Sequence, residues 1–168
     1  MNLKIRHEVL TDIDAINAVT VAAFLNAPHT AHTEQFIVKA LRENGTLTIS
    51  LVAELDGHVI GHVAVSPVSI SDGVSDWYGL GPISVLPAYQ GQGVGSRLMR
   101  EALRALHDRA ASGCVVLGEP GYYGRFGFRV EPGLSLPGVP PEYFQAISFN
   151  GMMPRGVVAY DESFNASA

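Results

Sequence analysis

The stretch Leu80–Ala111, LGPISVLPAYQGQGVGSRLMREALRALHDRAA, decides how this chain folds, because one run holds a strand pattern, a glycine-rich turn and the longest amphipathic helix pattern. After the turn, apolar residues fall at Gly95, Leu98, Met99, Ala102, Leu103, Leu106 and Ala110, while Arg97, Arg100, Glu101, Arg104 and Asp108 take the other side. That spacing predicts a helix with one buried face. Upstream, Gly81-Pro82-Ile83-Ser84-Val85-Leu86-Pro87 is short, rich in β-branched residues and closed by a proline, which predicts a strand ending where the turn begins.

A strand, a glycine turn and a helix start together favour an anion. The first amides of a helix lack intrahelical partners and carry the positive end of its dipole, so backbone N–H groups from Gly91 through Gln92, Gly93, Val94 and Gly95 to Ser96 are expected to converge on phosphate. Spacing then selects the ligand class. A dinucleotide loop needs G-x-G-x-x-G, but the third position here is Ser96; a nucleotide triphosphatase loop needs Gly-Lys-Ser/Thr, and no lysine follows these glycines.

The pattern Gln90-x-x-Gly93-x-Gly95 instead resembles the Q/R-x-x-G-x-G/A pyrophosphate loop of the GNAT superfamily of N-acetyltransferases. Val85-Leu86-Pro87-Ala88-Tyr89-Gln90 is similar to that family's strand and lead-in. Further on, Tyr122-Tyr123-Gly124-Arg125-Phe126-Gly127-Phe128 is similar to its F-Y-x-K/R-x-G-F signature. The resemblance runs from about Leu3 to Tyr160. It implies an α/β fold with a mixed, mostly antiparallel central sheet flanked by helices, whose central strands splay to admit the pantetheine arm of acetyl-coenzyme A (acetyl-CoA). It also implies cofactor contacts along Ile83, Ser84 and Val85 and along Gln90–Ser96, with backbone pairing from Ile83 and Val85, and a general acid at Tyr123. The acceptor amine must shed a proton, and Glu34, Asp76 and Glu119 are the candidate bases, among which the sequence does not choose. In this family the segment between the first two helices overlies the acceptor, which places Pro28, His29, His32 and Glu34 near substrate.

Composition fits one N-acetyltransferase domain over residues 1–168: 47% of the chain is apolar, enough for one substantial core. A net charge of −5 argues against nucleic acid or an anionic membrane as partner, since both call for basic patches. No run of eighteen apolar residues and no charged-then-apolar leader occurs, and the single cysteine, Cys114, cannot form an internal disulfide. A cytoplasmic enzyme is expected, acting on a small-molecule or peptide amine. Charged residues are only 16% of the chain, which leaves room for a homodimer.

Along the rest of the chain, Leu3–Glu8 alternates as a first strand, and Thr11-Asp12-Ile13-Asp14 predicts a helix start capped by the Thr11 hydroxyl and running to Phe24. Helical spacing resumes from Thr33 to Glu43. Strands are expected over Thr48–Leu55 and Val59–Ser66, joined by a tight Asp56-Gly57 turn, then over Tyr78–Val85, Cys114–Leu117, Tyr143–Phe149 and Val157–Tyr160. The last two are expected to form a hairpin, with Ser163–Ala168 fraying. His58 and His62 are four apart, on one face of a regular strand, but no third ligand is placed and no metal is expected. Cys114, beside Val115, Val116 and Leu117, reads as an inert core residue. A noncatalytic acyl-CoA sensor with the same cradle is the competing reading, against which Tyr123 speaks.

Overall fold

The structure is a computed structural model that describes residues 2–28 and 30–168. Eight strands form it: β1 (Leu3–His7), β2 (Ile49–Leu55), β3 (His58–Ile70), β4 (Trp77–Val85), β5 (Gly113–Leu117), β6 (Leu134–Ser135), β7 (Phe144–Ser148) and β8 (Gly156–Tyr160). The helices are α1 (Ile13–Phe24), α2 (Glu34–Glu43), α3 (Val94–Asp108) and the single turn α4 (Pro120–Tyr123). The main path is β1-β2-β3-β4-β5-β7, antiparallel except for β4 against β5, and β8 adds to the far end of β3.

Period-two alternation places a helix layer on each face. On β2, Leu51 and Ala53 join the cluster with Leu98, Met99, Ala102 and Leu106 of α3, whereas Val52 between them packs with Ile16 of α1 and Val38 of α2. The Asp56-Gly57 turn has positive φ at both residues, 49° and 85°, as a two-residue hairpin requires.

Several boundaries differ from the sequence expectations, each for a long-range reason. Thr11 does not cap the first helix. A 3-10 turn over Leu10–Asp12 leads into α1, and Asp12 accepts from the Val9 N–H at 2.8 Å and from both Arg6 terminal nitrogens at 2.7 and 3.0 Å. The acid is held by β1, so its carboxylate lies below the usual range, mainly through Arg6. β3 runs on to Ile70 because β8 supplies partners for Val68–Ile70. For the same reason the last two strands form no hairpin with each other: β7 pairs with β5. The C-terminal segment does not fray at Ser163, since Asp161 caps a 3-10 turn over Glu162–Asn165, Asn44 donates to Ser163 Oγ at 2.8 Å, and Phe164 packs edge-on against Tyr160.

A register shift beside Ile60 breaks the alternation of β3, leaving His58 exposed and His62 fully buried, so the two histidines do not share an environment. His62 Nε2 lies 2.8 Å from Ser50 Oγ, which also bonds Glu8, and Glu8 pairs with Arg42 at 2.8 Å. Among the described residues no three His, Cys, Asp or Glu side chains gather as a metal site. Cys114 is fully buried, which pushes its thiol pKa far up.

Candidate active site

β4 pairs with β5 only at Trp77, Tyr78 and Gly79, and parts from it beyond Gly79–Val115. The separation starts at a bulge: Leu80 faces Val65 and Ile83 faces Val63, so β4 fits two residues, Gly81 and Pro82, against one of β3. Pro82 has no N–H to offer a ladder, and β5 meanwhile continues along β7 through Leu117. The central strands are splayed as the sequence led one to expect.

The register also fixes which β4 groups face the gap. Leu86 N donates to Ile60 O at 2.9 Å, which makes Val85–Gly61 and Ile83–Val63 the pairs that do not exchange hydrogen bonds across β3 and β4. The backbones of Ile83 and Val85 therefore turn away from β3 toward the gap. Ser84 does the reverse: it faces His62 in the ladder, and its side chain is buried with an unpartnered hydroxyl. Its place in the chain suggested a cofactor contact, but its geometry turns it into the sheet.

On one side of the gap lies the glycine turn, bordering a cavity of about 380 Å³ lined by Val85, Tyr89, Gln90, Gly91, Gly93, Gly95, Ser96, Tyr122 and Arg125. Gly91 and Gly93 have φ of 76° and 86°, a conformation that L side chains rarely adopt, and an added Cβ at either would project into open space. Gly95 is different: it is helical, and its missing side chain leaves room beside the Tyr122 hydroxyl. Gln90 Nε2 donates to Val85 O at 2.9 Å and Gln92 Nε2 to Ala88 O at 3.1 Å, so both glutamines brace the turn with their side chains. What remains for an anion is the first turn of α3, whose amides at Val94, Gly95 and Ser96 precede its first internal bond, Arg97 N to Gly93 O. Arg125, stacked 4.7 Å from the Tyr122 ring centroid, is the one cationic residue lining this cavity among those described. Tyr122 lies 3.3 Å from Ser96 Oγ and so belongs to the cradle.

On the other side is a cavity of about 750 Å³ bordered by Leu80–Ile83, Tyr123, Glu34 and a wall of apolar side chains from α1, α2, the loop after β6 and the C-terminal segment. Tyr123 is held at its mouth by close packing: a Cβ on Gly118, just beyond β5, would lie 2.5 Å from the Tyr123 ring. Burial, with Tyr122 beside it, pushes its phenol up to about 12. Glu34 opens α2, where a carboxylate suits the helix dipole; one oxygen accepts from Thr30 Oγ1 and the other is buried without a partner.

Of the three candidate bases, only Glu34 borders this cavity. Asp76 is exposed at the far end of β4, roughly 20 Å along the strand from Ile83. Glu119 is exposed and accepts from Gly121 N at the start of α4. Pro28 and His32 are exposed and do not line the cavity, and His29 lies outside the described residues. Sequence reasoning missed Thr30, Tyr160 and Phe164. The last two reach the cavity only through the β8–β3 pairing, for which no local signal exists.

A family model described as "Acetyltransferase (GNAT) domain" matches residues 47–130. The chain is 36% identical over 159 residues to the uncharacterized N-acetyltransferase YhbS of Escherichia coli (strain K12), covering 89% of this chain and 94% of that one. A GNAT family acetyltransferase from Brucella melitensis, solved in complex with acetyl-CoA, is 47% identical with a TM-score of 0.87, covering 97% of this chain and 98% of its own. YhbS from Escherichia coli, solved in complex with CoA, is 35% identical at the same TM-score, covering 99% and 93%. On the family match and the shared length, this chain belongs to the GNAT acetyltransferase family.

Proposed function

We propose that the protein transfers acetyl from acetyl-CoA to a primary amine by direct attack in a ternary complex. The observation that carries this reading is the splay of β4 from β5, with an anion cradle at one side of the gap and a cavity holding Tyr123 and Glu34 at the other. The residues present suit acetyl-CoA: the α3 amides and Arg125 take phosphate, Ile83 and Val85 offer backbone groups to the amide-bearing arm, and the thioester arrives beside Tyr123.

The chain's own groups then account for the reaction. The acceptor arrives protonated, since an alkylamine has a pKa near 10.4, and Glu34 receives its proton directly or through water. The amine nitrogen bonds to the thioester carbon and the carbon–sulfur bond breaks. A backbone N–H from the gap-facing edge of β4, where Ile83 borders the cavity holding Tyr123, stabilises the charge growing on the carbonyl oxygen. Tyr123 donates a hydrogen bond to the departing sulfur. With its phenol pushed up to about 12 against a thiol near 8.5, full transfer alone is uphill by roughly 5 kcal/mol, so its proton moves only as the second proton of the amine, shed by the nitrogen once it is bonded to carbon, replaces it.

Among the described residues no helix is long and apolar enough to cross a membrane. A cytoplasmic site of action suits a small amine acceptor. Isothermal titration with acetyl-CoA, followed by thiol release in the presence of phenethylamine, tests the reading. Micromolar binding and an amine-dependent acetamide product support it, while binding with no amine-dependent release returns the protein to the role of a sensor.

A further inference from the structure

The acceptor cavity carries a chemical signature beyond the transfer reaction itself. Glu34 is its only charged lining residue among those described. Its apolar lining includes Phe24, Ile37, Leu136, Val139 and Phe164, and the hydroxyl of Tyr160, which also lines it, is buried without a partner. One oxygen of Glu34 also lacks a partner, and the other takes only Thr30. A carboxylate so placed offers one charge-assisted bond to one ammonium. Beyond it, among the described residues, the lining holds neither a cation to meet a substrate carboxylate nor a second acid to meet a second ammonium.

We propose that the acceptor is a small monoamine on an uncharged, apolar body, aromatic or aliphatic, and that amino acids, polyamines and lysine-bearing peptides are poor substrates. The proposal rests on the transferase reading and narrows it. An α-carboxylate would sit beside Glu34 unpaired, and a distal charge would be stripped of water against Leu136 and Val139; both penalise the wrong substrate more than extra apolar contact rewards the right one. Apolar body area is the matching gain, at about 25 cal/mol for each Å² buried.

The test uses matched amines at saturating acetyl-CoA. Hexylamine, hexamethylenediamine and ε-aminohexanoate share one chain and differ only at the far end, and phenethylamine differs from phenylalanine only by the carboxylate. The expected kcat/KM is about a hundredfold higher for hexylamine and phenethylamine than for their charged counterparts. In Val139→Asp, which places a second acid in the apolar lining, the diamine-to-hexylamine ratio should rise at least about tenfold, with circular dichroism confirming the fold. Comparable turnover of all five amines, better turnover of a lysine peptide, or an unchanged ratio in folded Val139→Asp overturns the substrate class and leaves the transferase reading intact. No acetamide from any amine, with acetyl-CoA still bound in calorimetry, removes both.

Discussion

Gly79 and Val115 are the last residues at which β4 and β5 pair, and Gly79 is kept bare by Tyr160, whose ring would lie 2.8 Å from an added Cβ. The point where the sheet opens is therefore also the point where the C-terminal strand presses in, and Tyr160 goes on from there to line the acceptor cavity. The splay of the sheet and the wall of the larger cavity are built from one junction.

The cradle depends on backbone conformation more than on side chains. Gly93→Val forces a β-branched residue into φ of 86° at the helix start, and should weaken acetyl-CoA binding at least a hundredfold, about 2.7 kcal/mol, while the core stays folded. Arg125→Ala should raise Kd less and flatten its salt dependence. Calorimetry at two ionic strengths checks both, and unchanged affinity in both variants would place the phosphates elsewhere.

Tyr123→Phe should lower kcat ten- to a thousandfold and spare acetyl-CoA affinity, because it removes one hydrogen bond at the sulfur. Tyr122→Phe gives the contrast. Its hydroxyl stands by Ser96 in the cradle, so its loss should shift cofactor Kd modestly and leave kcat near normal. Full kcat in Tyr123→Phe, with chemistry shown to limit the rate, would make Tyr123 a packing residue only.

The raised phenol pKa makes a pH prediction with a definite sign. At saturating acetyl-CoA and alkylamine, kcat should climb with pH as the bound ammonium gives up its proton, and show no downturn through pH 10, because Tyr123 keeps its proton until about 12. A bell with an alkaline limb near 10 would mean that the phenol titrates as if in water.

His62 gives a stability prediction. Burial lowers its pKa from 6.5 to about 4, against a smaller opposing pull from Glu8. The unfolded chain therefore takes up a proton below 6.5 that the folded chain refuses until about 4, so stability present at neutral pH is lost as pH falls through that window, by about 2 kcal/mol at pH 5. Urea unfolding from pH 7 to pH 5 measures this. In His62→Gln that part of the slope should vanish, and a slope unchanged in the variant assigns it to other groups.

Legibility followed the range of the interaction. The glycine turn before α3, the α3 stripe from Leu98 to Leu106 and the Asp56-Gly57 hairpin are local patterns, and each was readable because neighbours in sequence set it. Thr11 was misread as the cap because Asp12, held by Arg6 on another element, sets the helix start, and the Ser163 turn was missed because its partner, Asn44, lies 119 positions away. That Ser84 pairs into the ladder while Ile83 and Val85 face the gap was not legible, because a strand pattern alone does not say which residues of a pair face a neighbour; that depends on the register against β3.

By itself the sequence determined the strand–turn–helix unit and the helix amides that suit phosphate, since backbone sterics and period follow from consecutive residues. Only the tertiary structure decided that Glu34, and neither Asp76 nor Glu119, borders the acceptor cavity, that Ile83 and Val85 but not Ser84 face the gap, and that Tyr160 and Phe164 close the apolar wall. The physical reason is that each of these outcomes rests on strand pairing or packing between segments far apart in the chain, whose ends are brought together by burial of the common core.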